Sequence, residues 1–266
     1  MEMHNGLPMF SWLKDIQPVK TITKLMQCSN LNHKPFSCEF AVYEDGTQAQ
    51  ITFCPECEEE KLQKEQKQLE KQQKEENIKH CRKCNIEPEY YNKTLEDYKP
   101  QTESQEKALG FVKSMLNHDL KKLVLLGSNG TGKTMLGSIL AKEMNGKIYT
   151  MYEISTMIRQ SYTVKAVKTE LEIVNELASI PFLAIDEVGR TNGSSSEKNW
   201  LSYILDKRHV RKLPFMLMSN THLINNCPKG GCDNCFENFM DSDIISRLYQ
   251  DSKIINIVAP DFRENN

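Results

Sequence analysis

No stretch of the 266-residue chain approaches the length of an apolar membrane span, which argues against a membrane-embedded protein. Neither sign of charge is in marked excess: 34 Lys and Arg face 36 Asp and Glu, for a formal net charge of −2. A global basic footprint is therefore lacking, and any contact with nucleic acid must come from a local patch. The first residues are interrupted by Lys14, Asp15, Pro18 and Lys20, so the continuous apolar core of a secretory leader is missing. There is no internal repeat. These absences predict a soluble, cytoplasmic protein. Cysteine is the residue type that is not scarce. Nine are present, and in a reducing compartment close cysteine pairs point to metal binding rather than to disulfides.

Three regions differ in composition. Residues 1–57 are mixed, with two β-like runs, Cys38–Tyr43 and Ala49–Phe53, on either side of Asp45-Gly46; this is a hairpin signal in a small N-terminal domain. Residues 58–84 form the second region. From 58 to 80 it is nearly all Glu, Lys and Gln, with Leu62, Leu69 and Ile78 as the apolar exceptions. High helix propensity and recurrent i,i+4 charge pairs predict a solvated linker helix. Residues 85–266 alternate strand and helix patterns, which predicts an α/β domain, a parallel sheet flanked by helices. Strands are expected at 122–126, 147–151, 181–185, 214–219 and 253–258. Helices are expected near 103–117, 133–144, 153–178, 196–209 and 239–248.

Within this third region Gly127-Ser128-Asn129-Gly130-Thr131-Gly132-Lys133-Thr134 follows the apolar run Leu123–Leu126 and precedes a helical pattern. Strand, glycine loop and helix are the context a phosphate-binding loop requires. Glycines let backbone N–H groups curl around a polyphosphate, and the helix adds its positive dipole end. Lys133 is placed to reach the β- and γ-phosphates of ATP, and the Thr134 hydroxyl to ligate Mg²⁺. Phe182-Leu183-Ala184-Ile185-Asp186-Glu187 reads as an apolar strand ending in two acids. Asp186 is expected opposite Thr134 to hold Mg²⁺, and Glu187 to polarise the attacking water. The strand at 214–219 is expected between those at 122–126 and 181–185, with Asn220 near the γ-phosphate as a second orienter of water.

These motifs, with Leu205-Asp206-Lys207-Arg208 and Asp241-Ser242-Asp243-Ile244-Ile245-Ser246-Arg247-Leu248 following in order, resemble one branch of the AAA+ ATPases. The branch contains DnaC- and DnaI-type replicative helicase loaders and IstB-type transposition ATPases. Asn85–Tyr98 is similar to the segment that introduces the ATPase core there. The resemblance implies a P-loop AAA+ core without a C-terminal lid, since few residues follow Arg247. It implies that Asn220 is the sensor-1 residue and that Arg247 is an arginine finger donated to a neighbouring subunit, so that activity depends on self-assembly. A guanidinium there neutralises transition-state charge; a surface ion pair of Arg247 with Asp241, Asp243 or Asp251 is the alternative. Arg208 and Arg263 match further arginines of the pattern, with phosphate or intersubunit roles. The stretch Glu153–Asn175 carries Arg159, Lys165 and Lys168 among Ile158, Tyr162, Val164 and Val167. The resemblance implies that it touches single-stranded DNA, for which basic and aromatic side chains are suited; an amphipathic surface helix would show the same pattern.

Cys54-Pro55-Glu56-Cys57 is half of a zinc site. Cys28 with His33, Cys28 with Cys38, or Cys81-Arg82-Lys83-Cys84 can supply the rest. The resemblance to loaders, with an upstream Cys and His before C-P-x-C, implies Cys28, His33, Cys54 and Cys57; Cys38 or the Cys81/Cys84 pair stays open. Cys227, Cys232 and Cys235, in C-x4-C-x2-C spacing, look like an insertion relative to the family and a second Zn²⁺ site, with His222 as a candidate fourth ligand. Leu7, Met9, Phe10, Trp12, Leu13, Ile16, Val19, Ile22 and Leu25 either pack on the N-terminal domain or dock on a partner. The resemblance implies that this domain grasps a hexameric replicative helicase. The expected function is ATP-dependent loading of that helicase onto single-stranded DNA. An IstB-type transposition helper, or a nucleotide-gated adaptor without hydrolysis, is the alternative.

Overall fold

The structure, a computed structural model, describes residues 17–190 and 195–262. Leu7, Met9, Phe10, Trp12, Leu13, Ile16 and Arg263 lie outside the described residues. The chain divides into two compact units, Met1–Glu75 and Glu76–Asn266.

The first unit holds Lys20–Met26 (β1), Phe36–Val42 (β2) and Gln48–Gln50 (β3), paired antiparallel in the order β1-β2-β3. Register runs through Ile22↔Phe40 and Phe40↔Gln50. The turn between β2 and β3 closes with Gly46 at φ +81°, while Asp45 Oδ1 accepts from the Thr47 N–H at 2.9 Å. The expected hairpin is present; β1 is an additional strand. Val19 and Leu25 are exposed, so neither packs into a core of this unit. The buried side chains among its described residues are Cys28, His33, Cys38, Ala41 and Cys54. Such a centre has too little apolar area to hold a fold of this size without help.

Pro55–Lys83 (α1) is one continuous helix of 29 residues. Proline occupies its first position, where no N–H is required. Glu56 and Glu58 in the first turn and His80, Arg82 and Lys83 in the last suit the helix dipole. It ends in a Schellman turn: Asn85 sits at φ +56°, with Ile86 N–H bonded to Cys81 O and Asn85 N–H to Arg82 O. The charged segment is therefore a single helix, as its composition predicts. The helix begins three residues before the expected linker.

The second unit contains Glu103–Leu116 (α2), Lys122–Gly127 (β4), Lys133–Glu143 (α3), Lys147–Thr150 (β5), Met151–Gln160 (α4), Glu170–Leu177 (α5), Leu183–Asp186 (β6), Ser195–Val210 (α6), Phe215–Ser219 (β7), Ser242–Asp251 (α7) and Lys253–Ile257 (β8). All pairings are parallel, in the order β5-β6-β7-β4-β8. β7 lies between β4 and β6, as its sequence position in the motif pattern predicts. β4, β6 and β7 are buried along their whole length, which a parallel sheet covered on both faces demands. One core joins the sheet to residues of α4–α7, among them Ile154, Leu177, Ile204 and Leu248. The other joins it to Ala108, Val112, Leu136 and Leu140, and also takes in Cys81 and Cys84.

The single helix expected over 153–178 is corrected to α4 and α5. Residues 161–168, Ser-Tyr-Thr-Val-Lys-Ala-Val-Lys, include three β-branched residues that weaken helix propagation. Thr169 then starts a new helix with a capping box to Glu172.

Candidate nucleotide cleft and cysteine–histidine clusters

β4 delivers the glycine loop and α3 leaves it. Gly132 caps α3 in the left-handed region at φ +87°, and a Cβ there would come within 2.5 Å of Tyr98 Cε2. The Tyr98 hydroxyl donates to Thr131 O at 3.2 Å, and burial pushes that phenol up to about 12, so it stays a donor. The segment before the core thus clamps the loop from outside. Lys133 is buried, and its Nζ donates to Gly127 O at 2.8 Å and Ser128 O at 2.7 Å. These bonds hold the ammonium over the loop amides.

Across the sheet, β6 ends in Asp186. Its Oδ2 accepts from the Thr134 hydroxyl at 2.7 Å, and its Oδ1 from the Glu187 N–H at 2.7 Å. A hydroxyl and a carboxylate in contact at the mouth of a glycine loop suit a hard divalent cation. Glu187 adopts φ +56°, a conformation rare outside glycine and enriched at functional sites, and its carboxylate pairs with Arg190. The cleft encloses about 950 Å³ and is lined by Lys133, Thr134, Asp186, Glu187 and Asn220, with Tyr90 and Tyr98 at its side. Asn220 is exposed, directly after β7. Arg190, Tyr98 and Asn234 also line the cleft, although the sequence does not single them out as site residues. Tyr98 lies in the recognised introducing segment, and Asn234 between two cysteines, which is the signal that could have found them.

A family profile described as IstB-like ATP binding protein matches residues 53–266. The chain belongs to this family. Among relatives of this IstB-like chain is the replicative helicase loader DnaC of Escherichia coli strain K12, 26% identical over 146 residues. That match takes in 52% of this chain and 59% of DnaC, so the chain spans about three-fifths of the relative's length. A crystal structure of DnaI superposes with a TM-score of 0.52 at 20% identity, covering 65% of this chain and 95% of that one. A crystal structure of the DnaC helicase loader gives 0.50 at 19%, covering 65% and 100%. The fold of the second unit is therefore the P-loop AAA+ fold.

The arginines of this IstB-like domain divide. Arg247, on α7, forms an ion pair with Asp206 of α6, not with Asp241, Asp243 or Asp251, and is half-exposed. Arg247 is not among the residues lining the cleft. Arg208 is fully buried, and its guanidinium donates to Leu177 O at 3.0 Å, Ile180 O at 2.7 Å, Pro181 O at 3.4 Å and Pro214 O at 2.5 Å. Burial lowers it to about 9, still charged at neutral pH. Phosphate or intersubunit contact is thereby corrected for Arg208: it clasps four backbone carbonyls, at the end of α5 and in the loops before β6 and β7. In the basic stretch, Ile158 is a core residue, Arg159 pairs with the buried Glu197 at 3.4 Å, and Lys168 pairs with Glu176. Tyr162, Val164 and Val167 are exposed, with Lys165 in the turn between α4 and α5.

Among the described residues, two sets of metal-ligating side chains converge, each with its donor atoms within 4.8 Å of one another: Cys28, His33, Cys54 and Cys57, and His222, Cys227, Cys232 and Cys235. In the first, Cys28 Sγ lies 3.3 Å from Cys57 Sγ, and His33 Nδ1 lies 3.5, 3.6 and 3.3 Å from the Sγ atoms of Cys28, Cys54 and Cys57. His33 Nε2 meets Glu60 Oε1 at 3.0 Å, and chiefly for that reason the imidazole is raised to about 9. A carboxylate behind a ligating imidazole is the usual outer partner of such a site. The Asn30 N–H, followed by Cys57, lowers the Cys28 thiol to about 7. Cys38 does not join this set; its Sγ donates to Thr52 O at 3.1 Å. Cys81 and Cys84 lie in the core of the second unit instead. No described helix is long and apolar enough to cross a membrane.

Proposed function

We propose that this chain is a cytoplasmic ATPase that loads a hexameric replicative helicase onto single-stranded DNA. The observation that carries the reading is the Thr134–Asp186 pair at the mouth of the glycine loop, in a chain whose relatives include replicative helicase loaders. The loop amides and Lys133 hold the triphosphate of ATP, and Thr134 and Asp186 hold Mg²⁺, which neutralises phosphoryl charge. Glu187 accepts the proton of the attacking water, and Asn220 orients that water. Arg247, absent from the lining of its own cleft, serves the cleft of a neighbouring copy.

Cys28, His33, Cys54 and Cys57 hold Zn²⁺ and supply the folding free energy that the sparse core of the first unit lacks. This unit, residues 1–57 with the helix that follows, grasps the helicase. Because Arg159 and Lys168 are already paired, contact with DNA falls to Lys165 and to the exposed ring face of Tyr162, whose hydroxyl is bonded to Glu170, where an aromatic beside a cation suits stacked bases. Affinity capture of the host's hexameric helicase by the full chain, followed by unwinding of a substrate on which the helicase cannot load alone, tests the reading. Capture and ATP-dependent unwinding are expected. Capture of a transposase in place of the helicase would favour the transposition-helper reading. ATP binding with no phosphate release in the presence of helicase and DNA would favour a nucleotide-gated adaptor.

A further inference from the structure

Residues 224–234, within the segment that joins Asn220 to α7, have almost no apolar support. From residue 224 to 234 every described side chain is exposed or half-buried; Gly230 stands in open space at φ +67°, and at Gly231, at φ +148°, a Cβ would lie 3.8 Å from Ile224 Cδ1. Yet the backbone closes on itself. His222 and Cys235 form a β-bridge, Gly230 N–H bonds to Cys227 O at 3.1 Å, and Cys235 N–H bonds to Cys232 O at 3.1 Å. Ordering so many exposed residues costs conformational entropy that contacts of this kind do not offset.

The side chains gathered at that closure are a Cys₃His set. His222 Nε2 lies 3.5 Å from Cys232 Sγ and 3.7 Å from Cys235 Sγ, and the two sulfurs are 3.9 Å apart. A tetrahedral Zn²⁺, with Zn–S about 2.3 Å and Zn–N about 2.0 Å, spaces its ligands about 3.8 Å (S to S) and about 3.5 Å (S to N) apart. These three edges match, and Cys227 Sγ lies within 4.8 Å of the other three donor atoms. Four protein donors leave no open position, so the site is structural rather than catalytic.

Its surroundings give this metal a task. Asn234, between two of the ligands, lines the cleft together with Asn220 and Thr221. Immediately after Cys235, Phe236 and Phe239 enter the core, and Phe239 lies so close to Gly189 that a Cβ there would come within 2.7 Å of its ring. Glu237 accepts from Ile224 N–H at 3.0 Å and from the Tyr249 hydroxyl at 2.6 Å. Tyr249 is on α7, two residues from Arg247.

We propose that His222, Cys227, Cys232 and Cys235 hold a Zn²⁺ that fixes the wall of the cleft at Asn234 and anchors α7. The metal is distinct from the one proposed for the first unit. Its binding expels the protons of the three thiols to solvent. The coupling to the cleft rests on the reading of that cleft as the ATP site; the metal site itself does not.

The test uses the full chain purified without chelator, with metal content, ATP affinity and amide exchange measured on the same preparations. Two Zn²⁺ per chain are expected, falling to one in His222→Ala and in Cys232→Ser, and staying at two in His222→Cys, which replaces one good ligand by another. His222→Ala is expected to weaken ATP binding about tenfold, a typical cost of disturbing the support of a site, and to speed exchange over residues 236–251. Cys57→Ser also loses one Zn²⁺ but leaves ATP affinity unchanged. Should His222→Ala not fold, Co²⁺ loaded into Cys57→Ser decides the point: a thiolate-to-cobalt band with tetrahedral d–d absorption is expected from the remaining Cys₃His set. Unchanged zinc content in both His222→Ala and Cys232→Ser, or no cobalt–thiolate band, overturns the site. Loss of the metal with ATP affinity and exchange unchanged overturns the coupling. Failure of the unaltered chain to bind ATP overturns the coupling together with the reading of the cleft, while the zinc count still decides the site.

Discussion

Lys133 and Asp186 are both buried, and each is held by groups of the loop it serves. The ammonium is aimed by two carbonyls and the Asp186 carboxylate by a hydroxyl and the Glu187 amide, so substitution of Lys133 and of Glu187 should separate by function. Lys133→Ala is expected to abolish ATP binding measured by fluorescence of a labelled nucleotide. Glu187→Gln should keep that binding while phosphate release falls by roughly 10²- to 10⁴-fold, the usual share of a general base. Arg208→Met is a different kind of change. It leaves four carbonyls short of a donor and should lower stability by about 3 kcal/mol, read as a lower denaturation midpoint, with ATP affinity of the folded protein unchanged. The glycine loop, Thr134 and Asp186 were legible in the sequence because their chemistry is written in short contiguous motifs. Arg208 was not, since its partners are carbonyls of residues 177, 180, 181 and 214, and only the fold brings them to it. The partner of Arg247 escaped for the same reason: Asp206 is remote in sequence, whereas the acids near it on the chain are not its partners.

Elements were readable where burial writes a pattern. β4, β6 and β7 are continuous apolar runs, and their order in the sheet followed from the motifs at their ends. β1 left no such trace: among its residues only Ile22 is even half-buried, so no alternation marks it. The break between α4 and α5 was missed because Glu153–Leu177 is polar enough and rich enough in helix formers to read as one helix, although Thr169 and Glu172 carry the capping signal. Removing that cap by Thr169→Ala should cost about 1 kcal/mol, seen as faster amide exchange confined to α5 and the preceding turn. In the first unit the buried centre is mostly cysteine and histidine. Chelation of Zn²⁺ should therefore expose the amides of β1–β3 to exchange while β4, β6 and β7 remain protected; protection of all three N-terminal strands after complete zinc removal would contradict a metal-supported fold.

For the molecule as a whole, the ATP-binding core was recognisable from motif order, and the match to the IstB-like family over residues 53–266 agrees with it. Among the described residues, Arg190 is the guanidinium that lines the cleft, and it is paired with Glu187, whereas Arg247 is paired with Asp206 of α6 and does not line its own cleft. Completion of the reaction centre by a second copy is the claim on which the loader reading depends. The most direct measurement mixes two inactive variants, Lys133→Ala and Arg247→Ala, with helicase and single-stranded DNA present, and follows phosphate release. In a mixed assembly, an intact loop from the Arg247→Ala chain can meet an intact arginine from the Lys133→Ala chain. The account predicts that the mixture recovers a substantial part of the activity that neither variant shows alone. Phosphate release from the mixture no greater than that of the separate variants, or full activity of Arg247→Ala by itself, would contradict it.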